Sequence, residues 1–439
     1  MLIRGGMFAG VLLAVILATA AQAGDEPMFR GGPAHLGVYQ GPGPRQAPKV
    51  KWSFHTGGAV RSTPAVAGGL VYFGSNDGYL YALDLASGVQ KWRFRTGSRV
   101  AASPAVSAGE VMFGSYDGRF YSLDAATGAL KWKFATKGER RFAAPGIHGF
   151  EPRAETMPDP FDFYLSSPAV WRGRVYFGSG DGHVYALDMA TGAPAWSFAT
   201  GDVVHASPAI ADGTLYVGSW DSYFYAIDAN SGALKWRFKT GEDPAIHNQV
   251  GIQSSAAVAD GVVYFGCRDS NLYAVDARSG KQVWSYNNKG SWVITSPAVG
   301  KGVVYAATSD TGQFLALDAK SGRLLFTLSS NHWPMFSSPA LAGGKAFIGS
   351  HLGRLMAIDL DTHNLAWTWD TQASRQNAPA LSDASGAPDY TKVFASGFYD
   401  DGIVGVDKSL SAGAMLSSPA ISGDTLLIGS DDGNLYALA

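Results

Sequence analysis

The sequence predicts an all-β protein, an eight-bladed β-propeller built from four-stranded antiparallel blades. A unit of about 40 residues recurs along most of the chain, which is typical of repeat architectures. Each unit joins short strand-forming segments by turn-forming residues, as in a propeller blade. A third observation, the count of strands at the two chain ends, sets the number of blades.

One unit has the pattern SPAV-x-x-G-x-VYFGS-x-DG-x-x-YALD-x-x-TG-x-x-KW-x-F. Asp-Gly between the two β-rich segments predicts a hairpin. The next turn begins at Asp84, which can bond the backbone, and Gly88 supplies a positive φ. In the last segment Trp92 and Phe94 face one side of the strand and Lys91 faces the other. The unit therefore contains four antiparallel strands.

Two positions mark the repeats. A proline or its substitute opens each unit, at Pro64, Pro104, Pro168, Pro208, Ala256, Pro297, Pro339, Pro379 and Pro419. An aromatic residue marks the fourth strand, at Trp52, Trp92, Trp132, Trp196, Trp236, Trp284, Phe326 and Trp367. Such a side chain buries about 150–250 Å², so we expect these residues to dock each blade on its neighbour.

The strand count predicts how the ring closes. The unit at Pro379 lacks the aromatic strand, the last unit ends after its third strand, and Trp52 belongs to a fourth strand that precedes the first unit. Pairing residues 51–54 with residues 416–439 completes one blade and leaves no free edge at the closure. Eight blades result, with 372–412 as a degenerate insertion. A ring of nine blades, one of them degenerate, is the alternative.

The N-terminus has the features of a secretory signal. Residues 1–23 contain one charge, Arg4, then an apolar run and a small-residue AQA site that ends at Ala23. The run is short for a membrane span of about 20 residues, so we expect cleavage, with an uncleaved anchor as the alternative. No cysteine is near the cut to carry a lipid. We expect a periplasmic protein with an extended segment at 24–50, the propeller at 51–439 and no membrane span.

Charge and cysteine content exclude some classes of function. The chain has 34 Lys and Arg against 36 Asp and Glu, so it has no basic footprint for nucleic acid. The single Cys267 excludes an intrachain disulfide, and its place in a strand segment predicts a buried small residue. We expect a monomer.

The ALD-x-x-TG-x-x-KW segments resemble the tryptophan-docking motif of quinoprotein (PQQ-dependent) dehydrogenases and their non-enzymatic relatives. Together with SSPAV, VYFGS-x-DG and YALD, they look like the PQQ-like β-propeller repeat family, to which BamB-like periplasmic proteins belong. The resemblance covers roughly residues 50–439 and implies an eight-bladed propeller.

Two departures limit what the resemblance implies for function. The dehydrogenases of the family place the quinone on a pair of adjacent, disulfide-bonded cysteines, and this chain has only one cysteine. No Cys-x-x-Cys-His haem motif is present, and no carboxylate set can be assigned to calcium from position. We therefore expect no cofactor, with PQQ and calcium as the alternative, and no assigned metal or catalytic residues.

A residue that repeats in every blade cannot define one site, so function should lie where the repeat is interrupted. Two connections between blades are extended, at 137–165 and 241–253, and both should emerge on one face, where binding loops usually lie. The candidate binding rim on this face consists of Arg61, Arg141, His148, Arg153, His205, His247, Asn248, Gln253, Trp292, His332, Trp333 and Gln376. The alternative is that the loops only plug the channel.

Three hypotheses for function follow. The first is a non-catalytic periplasmic binding or scaffold propeller that contacts an envelope protein or peptide through the loop-rich face, with outer-membrane protein assembly as one role. The second is an oxidoreductase that uses PQQ or another cofactor. The third is a propeller that binds a carbohydrate or another small molecule, suggested by the rim aromatics.

Overall fold

The computed structural model describes residues 27–241 and 251–439. The predicted signal peptide, the first residues of the N-terminal segment and most of the second extended loop lie outside the described residues. The candidates His247 and Asn248 lie there too.

Within the described chain the prediction of eight four-stranded antiparallel blades is confirmed. From the inner strand A to the outer strand D, blade 1 consists of Ala65–Ala67, Leu70–Gly74, Tyr79–Asp84 and Gln90–Arg95, and blade 2 of Ala105–Ser107, Glu110–Ser115, Arg119–Asp124 and Leu130–Ala135. Blade 3 consists of Ala169–Trp171, Arg174–Gly178, His183–Asp188 and Pro194–Ala199, and blade 4 of Ala209–Ala211, Thr214–Gly218, Tyr223–Asp228 and Leu234–Lys239. Blade 5 consists of Ala257–Ala259, Val262–Gly266, Asn271–Asp276 and Gln282–Asn287, and blade 6 of Ala298–Gly300, Val303–Ala307, Gln313–Asp318 and Leu324–Ser329. Blade 7 consists of Ala340–Ala342, Lys345–Gly349, Arg354–Asp359 and Asn364–Asp370, and blade 8 of Ala420–Ser422, Thr425–Gly429, Asn434–Leu438 and Val50–His55.

Blade 8 closes the ring with strands from both ends of the chain. Its outer strand, Val50–His55, pairs with the C-terminal strand, and Trp52 lies opposite Ala437. This pairing joins the first and the last strand of the described chain in one sheet, as the strand count predicts.

The repeated aromatic residue lies between neighbouring blades. The Trp92 indole nitrogen donates to the carbonyl of Ala125 in the next blade at 3.0 Å. Gly128 lies under the same ring with φ +74°, and a Cβ there would come within 2.7 Å of it. The glycine therefore supplies both the turn conformation and the space for the indole. The same bond is made by Trp52, Trp132, Trp196, Trp236 and Trp284.

The last two aromatic positions are exceptions, each with a local cause. Phe326 stacks on His363, which stands where the other blades have glycine, with ring centroids 4.2 Å apart. Trp367 faces blade 8, whose third and fourth strands, Asn434–Leu438 and Val50–His55, are not joined by a short turn like those of the other blades. Its buried indole nitrogen has no hydrogen-bond partner in the described chain.

A closed ring of hydrogen bonds surrounds the central channel. The residue before each unit-opening position donates its backbone N–H to the hydroxyl of the equivalent Ser or Thr in the next blade. The distances are 2.8 to 3.1 Å along Thr63, Ser103, Ser167, Ser207, Ser255, Ser296, Ser338, Ser418 and back to Thr63. The repeated Ser before proline is thus explained by contacts between inner strands.

The N-terminal segment forms a strap, defined as residues 27–44, across the end of the channel opposite the extended loops. Carbonyls of Pro27, Pro33, Ala34, Leu36 and Gly37 accept from the inner strands of blades 2, 4, 5, 6 and 7. The strap includes a 3₁₀ turn, Phe29–Gly31. Arg30 within it is 1% exposed, and its guanidinium donates to the carbonyls of Pro297 and Pro339 at 2.9 and 2.5 Å.

Residues 372–412 do not form a ninth blade, so the nine-blade alternative is wrong. They contain three helices, α1 (Gln372–Leu381), α2 (Tyr390–Val393) and α3 (Tyr399–Leu410). The Thr371 hydroxyl caps α1 by accepting from the Ser374 N–H. Pro379, which the repeat pattern places at the start of a unit, lies inside α1.

One further pair of strands, Ala143–Pro145 and Thr156–Pro158, forms a hairpin inside the first extended loop, together with the 3₁₀ turn Ile147–Gly149. Across the described ranges, none of the helices has the length and apolar character that a membrane crossing needs.

Candidate functional site

The described ends of three long connections lie on one face of the propeller, which we call the loop-rich face. Each runs from strand D of one blade to strand A of the next, between blades 2 and 3, 4 and 5, and 7 and 8. In an antiparallel blade these connections and the turns from strand B to strand C emerge on the same side. The third connection carries the three helices, so this face combines the first extended loop with the helical insertion.

Part of the first loop, residues 159–165, enters the channel mouth, and we call it the plug. Tyr164 donates its hydroxyl to the carbonyls of Phe336 and Leu416 on the far side, at 2.9 and 3.2 Å. The channel wall at this level contains Arg61, Ala101, Leu165, His205, Gln253, Ile294, Phe336 and Leu416. The plug therefore closes the channel by contacts to blades across the ring.

A buried charge pair holds the plug on the side of blade 4. His205 Nδ1 lies 2.7 Å from an Asp162 carboxylate oxygen, and its Nε2 lies 2.9 Å from Glu139. Burial would lower the pKa of His205, but Asp162 and Glu139 hold it at about 10. The imidazole is therefore charged at neutral pH and links the plug to the start of the first loop.

A second buried group holds the plug on the side of blade 5. The guanidinium of Arg268 lies between the rings of Trp220 and Trp292, 4.3 and 4.0 Å from their centroids. It donates to Asp159 at 2.6 Å and to the Gln253 amide oxygen at 2.8 Å.

The Asp159 carboxylate also faces a histidine of the first loop. Its other oxygen lies 2.9 Å from His148 Nε2. Burial would raise the pKa of Asp159, but Arg268 and His148 hold it far below its usual range. Asp159 is therefore ionised and balances the Arg268 charge inside the protein.

Beside the plug, between the channel mouth and the helical insertion, lies a cavity of about 400 Å³. Its walls are mostly aromatic and apolar: Phe150, Phe161, Trp292, Trp333, Pro334, Phe336, Leu381, Pro388, Tyr390, Val393 and Phe394, with His148, Asp310, His351 and Ser409 as the polar members. The volume is in the range of ligand pockets, roughly 300–1,000 Å³, and so is the mixture of apolar walls and few polar groups.

Two polar groups give the cavity its electrostatic character. Asp310 is the only carboxylate among its described lining residues. The residue as a whole is exposed, and desolvation of its carboxylate by the surrounding protein raises its pKa. The carboxylate faces Tyr390, whose pKa is raised by burial first and by Asp310 second. His351 is 4% exposed, burial lowers its pKa to about 3, and its Nε2 has no hydrogen-bond partner in the described chain. An apolar ligand would thus meet one acid and one neutral imidazole.

The structure brings some predicted rim residues together and separates others. His148, Trp292 and Trp333 line the cavity, whereas His205 and Gln253 hold the plug. Arg61 and Arg141 line a second, smaller pocket on the same face, described below.

Three predicted residues lie away from the cavity. Arg153 is exposed and pairs with Glu151, and His332 is exposed in the turn before Trp333. Gln376 lies on α1 of the helical insertion with its side chain exposed, and not on an inner connection before a unit-opening proline as its place before Pro379 suggested. Gln376 lies three residues before Pro379, the same spacing that separates Arg61 from Pro64. In this segment, however, Thr371 caps a helix.

Sequence reasoning missed Asp159, Asp162, Arg268, His351 and Asp431, although one pattern could have identified three of them. In the hairpin pattern GS-x-DG, the residue x varies from blade to blade and faces the channel mouth. These positions are Asn76, Tyr116, Gly180, Trp220, Arg268, His351 and Asp431. The Asp that follows is structural, as in blade 1, where Asp77 accepts from the Tyr81 hydroxyl and the Gly57 N–H. The variable position next to a repeated one is the informative signal.

The channel residues do not fit the quinone platform that the resemblance implies. Below Tyr164 the free volume is about 40 Å³, and Phe29 of the strap closes the other end. The one cysteine, Cys267, is fully buried, and burial raises its pKa. Within residues 27–241 and 251–439, no group of three or more His, Cys, Asp or Glu could hold a metal ion.

Comparisons with known proteins support the fold and the family. The family model for the outer membrane protein assembly factor BamB matches residues 46–146, 162–291 and 257–439. A search of curated protein sequences finds no match.

Solved structures with the same fold include BamB and quinoprotein dehydrogenases. BamB from Moraxella catarrhalis aligns with TM-score 0.65 and 15% identity over 89% of this chain and 99% of that one. A quinohemoprotein alcohol dehydrogenase from Comamonas testosteroni aligns with TM-score 0.68 and 15% identity over 96% and 81%. A europium-containing methanol dehydrogenase gives 0.67 and 16% over 95% and 98%. These likenesses show the propeller fold, and the family match covers most of the chain, so this protein belongs to the family of the outer membrane protein assembly factor BamB.

Proposed function

We propose that this protein is a non-catalytic binding propeller of the cell envelope. Its loop-rich face would receive an apolar segment of a partner protein, and that segment would carry one basic group. The observation that carries the proposal is the aromatic cavity between the plug and the helical insertion. The BamB family match supports an envelope location and a protein partner, and residues 1–23 support export through a cleaved signal.

The shape of the cavity favours a short apolar segment. At about 400 Å³ it accommodates one or two large side chains, and its rings offer flat surfaces for stacking. His148, Phe161 and Trp292 form one wall, with ring centroids 5.1 to 5.8 Å apart. A long ligand would have to continue over the rim.

The charge of the cavity favours a basic group on that segment. The charge of Arg268 nearby is already balanced by Asp159, whereas Asp310 forms no ion pair with a described residue and bonds only Ser309. A cation at Asp310 would pair with the carboxylate and contact the Trp333 and Tyr390 rings.

Exposed apolar residues extend the surface beyond the cavity. Phe398 and Val404 on the helical insertion are 62% and 64% exposed. Phe398 lies next to Tyr399, which packs against Phe150 of the cavity wall. A partner segment leaving the cavity would cross these side chains.

The test is site-specific photocrosslinking in intact cells, followed by identification of the captured protein. A photoreactive residue at Phe398 or Val404 should capture one dominant envelope protein. The matched control is Val89, which is 60% exposed but lies in a strand C to strand D turn on the opposite face. The captured protein should bind the pure propeller through an apolar segment with a Lys, an Arg or a free amino terminus.

Two variants link the crosslink to the cavity. Ser409→Trp should fill the cavity and abolish binding. Asp310→Asn should weaken binding of the basic segment by about threefold, because the Asp310 side chain is exposed and exposed charge pairs are weak. Equal capture at Val89, or binding that survives both variants, would contradict the proposal. Quinone-dependent dye reduction by the pure protein would overturn its non-catalytic part.

A further inference from the structure

A second pocket on the loop-rich face, separate from the aromatic cavity, contains three arginines. Its volume is about 210 Å³, and Arg61, Arg99 and Arg141 line it. They come from three successive connections between blades, 8 to 1, 1 to 2 and 2 to 3. Phe163 of the plug and Val406 of α3 complete the walls, so the pocket forms only in the folded ring.

The positive charges of this pocket are only partly balanced. Arg61 forms a bidentate pair with Asp431, at 3.1 Å from Nε and 2.6 Å from Nη2, and stacks over Phe163. Arg99 and Arg141 form no ion pair with any carboxylate of the described chain. Asp407 on α3 is the one acid on the wall, and its side chain is exposed.

The positive charges of the three arginines also repel one another. Burial lowers the pKa of Arg99, and the charges of Arg141 and Arg61 lower it further. Arg141 has a buried Nε without a hydrogen-bond partner in the described chain. An unpaired buried donor of a charged group costs free energy, which a bound anion would recover.

A purely structural role does not explain the cluster. The position of Arg99, five residues before the unit-opening proline, is Ala59 in blade 1 and Val203 in blade 4. The docking tryptophans and the serine ring repeat around the molecule because every junction needs them. These arginines occur at one sector only, as expected for a ligand site.

We propose that this pocket binds an oxyanion, a carboxylate or a phosphate group. Planar guanidinium groups present paired donors that match the oxygens of both groups. Arg99 and Arg141 supply guanidinium donors that form no ion pair with a described residue, and Arg61, whose charge is balanced by Asp431, forms part of the wall beside them. Asn76 also lines the pocket, and its amide oxygen has no hydrogen-bond partner among the described residues. Rotating the amide would present its NH₂ group to the pocket.

The experiment measures binding of inorganic phosphate and of succinate to the full chain in low-chloride buffer by calorimetry. Phosphorus NMR line broadening provides a second readout for phosphate. We expect a dissociation constant of about 1 mM or lower for at least one of the two, weakened by salt. The two arms decide which oxyanion is the ligand. If neither binds more tightly than chloride, the proposal is overturned.

Variants locate the site. Arg99→Gln and Arg141→Gln should each weaken binding tenfold or more, since each removes a charge-assisted donor. Arg140→Gln is the matched control, because this neighbour pairs with Asp202 instead, and it should stay within about twofold. Asp407→Asn should tighten binding about threefold by removing a competing carboxylate.

The tighter binding expected for Asp407→Asn distinguishes loss of the site from loss of the fold, because a variant with a damaged fold would not bind the anion more tightly. An equal loss in Arg140→Gln, or no change in Arg141→Gln, would place the anion elsewhere. The result does not depend on whether the aromatic cavity binds a partner.

Discussion

At the scale of single residues, one aromatic side chain per blade, a tryptophan in all blades but one, packs against the next blade. Two neighbouring residues of that next blade explain the sequence around it. The next blade supplies a carbonyl that accepts the indole N–H and a glycine that leaves room for the ring, as Ala125 and Gly128 do for Trp92. Where one partner changes, the other changes too, as in Phe326 and His363. The turn with the pattern Asp-x-x-Thr-Gly therefore forms the docking site for the aromatic ring of the preceding blade.

This arrangement predicts different costs for one substitution at two equivalent positions. Trp92→Phe removes the hydrogen bond to Ala125 and should lower the free energy of unfolding by about 1–2 kcal/mol. Trp367→Phe should cost less, because no residue of the described ranges accepts a hydrogen bond from its buried indole nitrogen. Urea unfolding of the two variants measures the difference. Equal losses would show that ring area, and not the bond, determines docking.

At the scale of elements, the plug explains why the extended loop carries charged residues that lie inside the protein. Asp159 is buried against Arg268 of blade 5, and Asp162 is buried against His205 at the start of blade 4. A buried charge is tolerated only with a partner, so each pair fixes where the plug can lie. The aromatic residues Phe161 and Phe163 then separate the cavity from the arginine pocket.

The His205 pair predicts a specific pH dependence of stability. The folded pKa of His205, about 10, lies above the value of about 6.5 expected in the unfolded chain. Its stabilising effect is therefore complete below pH 6.5 and is lost as the pH rises through 10. The free energy of unfolding should fall by about 2–4 kcal/mol across that window.

Measuring urea unfolding at several pH values between 6.5 and 10 checks this prediction. His205→Gln should be less stable at pH 6.5 and should show a flatter dependence, since the titrating group is gone. Arg140→Gln, which leaves the plug intact, should keep the slope of the parent protein. An unchanged slope in His205→Gln would contradict the assignment.

The helical insertion is the element that the sequence concealed. Its helices are short, ten, four and twelve residues, and Pro379 imitates the repeat. Leu381, Val393 and Leu410 are buried, mainly against residues outside their own helices such as Trp333 and Phe336. Helices of this length depend on tertiary packing, so local pattern could not reveal them.

At the scale of the whole molecule, three features besides the aromatic docking stabilise the closed ring. They are blade 8, whose strands come from both ends of the chain, the ring of serine and threonine hydrogen bonds, and the strap. None of them involves residues 373–411, which are inserted at one junction. The Thr371 hydroxyl already lies 3.3 Å from the Ala412 carbonyl, so the ends of the insertion meet. The insertion is therefore attached to the propeller rather than part of its closure.

Replacing residues 373–411 by Gly-Gly should leave a folded propeller without the cavity. We expect cooperative unfolding with a midpoint lowered by less than about 10 °C, a weaker helical signal in circular dichroism, and loss of partner binding. The cost arises because Trp333 and Leu352 lose their cover. A chain that no longer unfolds cooperatively would show that the insertion belongs to the core.

The sequence by itself determined the blade, the number of blades and the way the ring closes. These features repeat, and a repeated contact such as Trp92 over Gly128 leaves the same residues in every unit. Only the tertiary structure decided the site, because Arg268, Asp159, His351 and Asp310 occur once and come from distant blades and loops. Their partners lie as far as 109 positions apart in the sequence, as for Arg268 and Asp159. No local pattern encodes such pairs, and they become neighbours only when the ring closes around its channel.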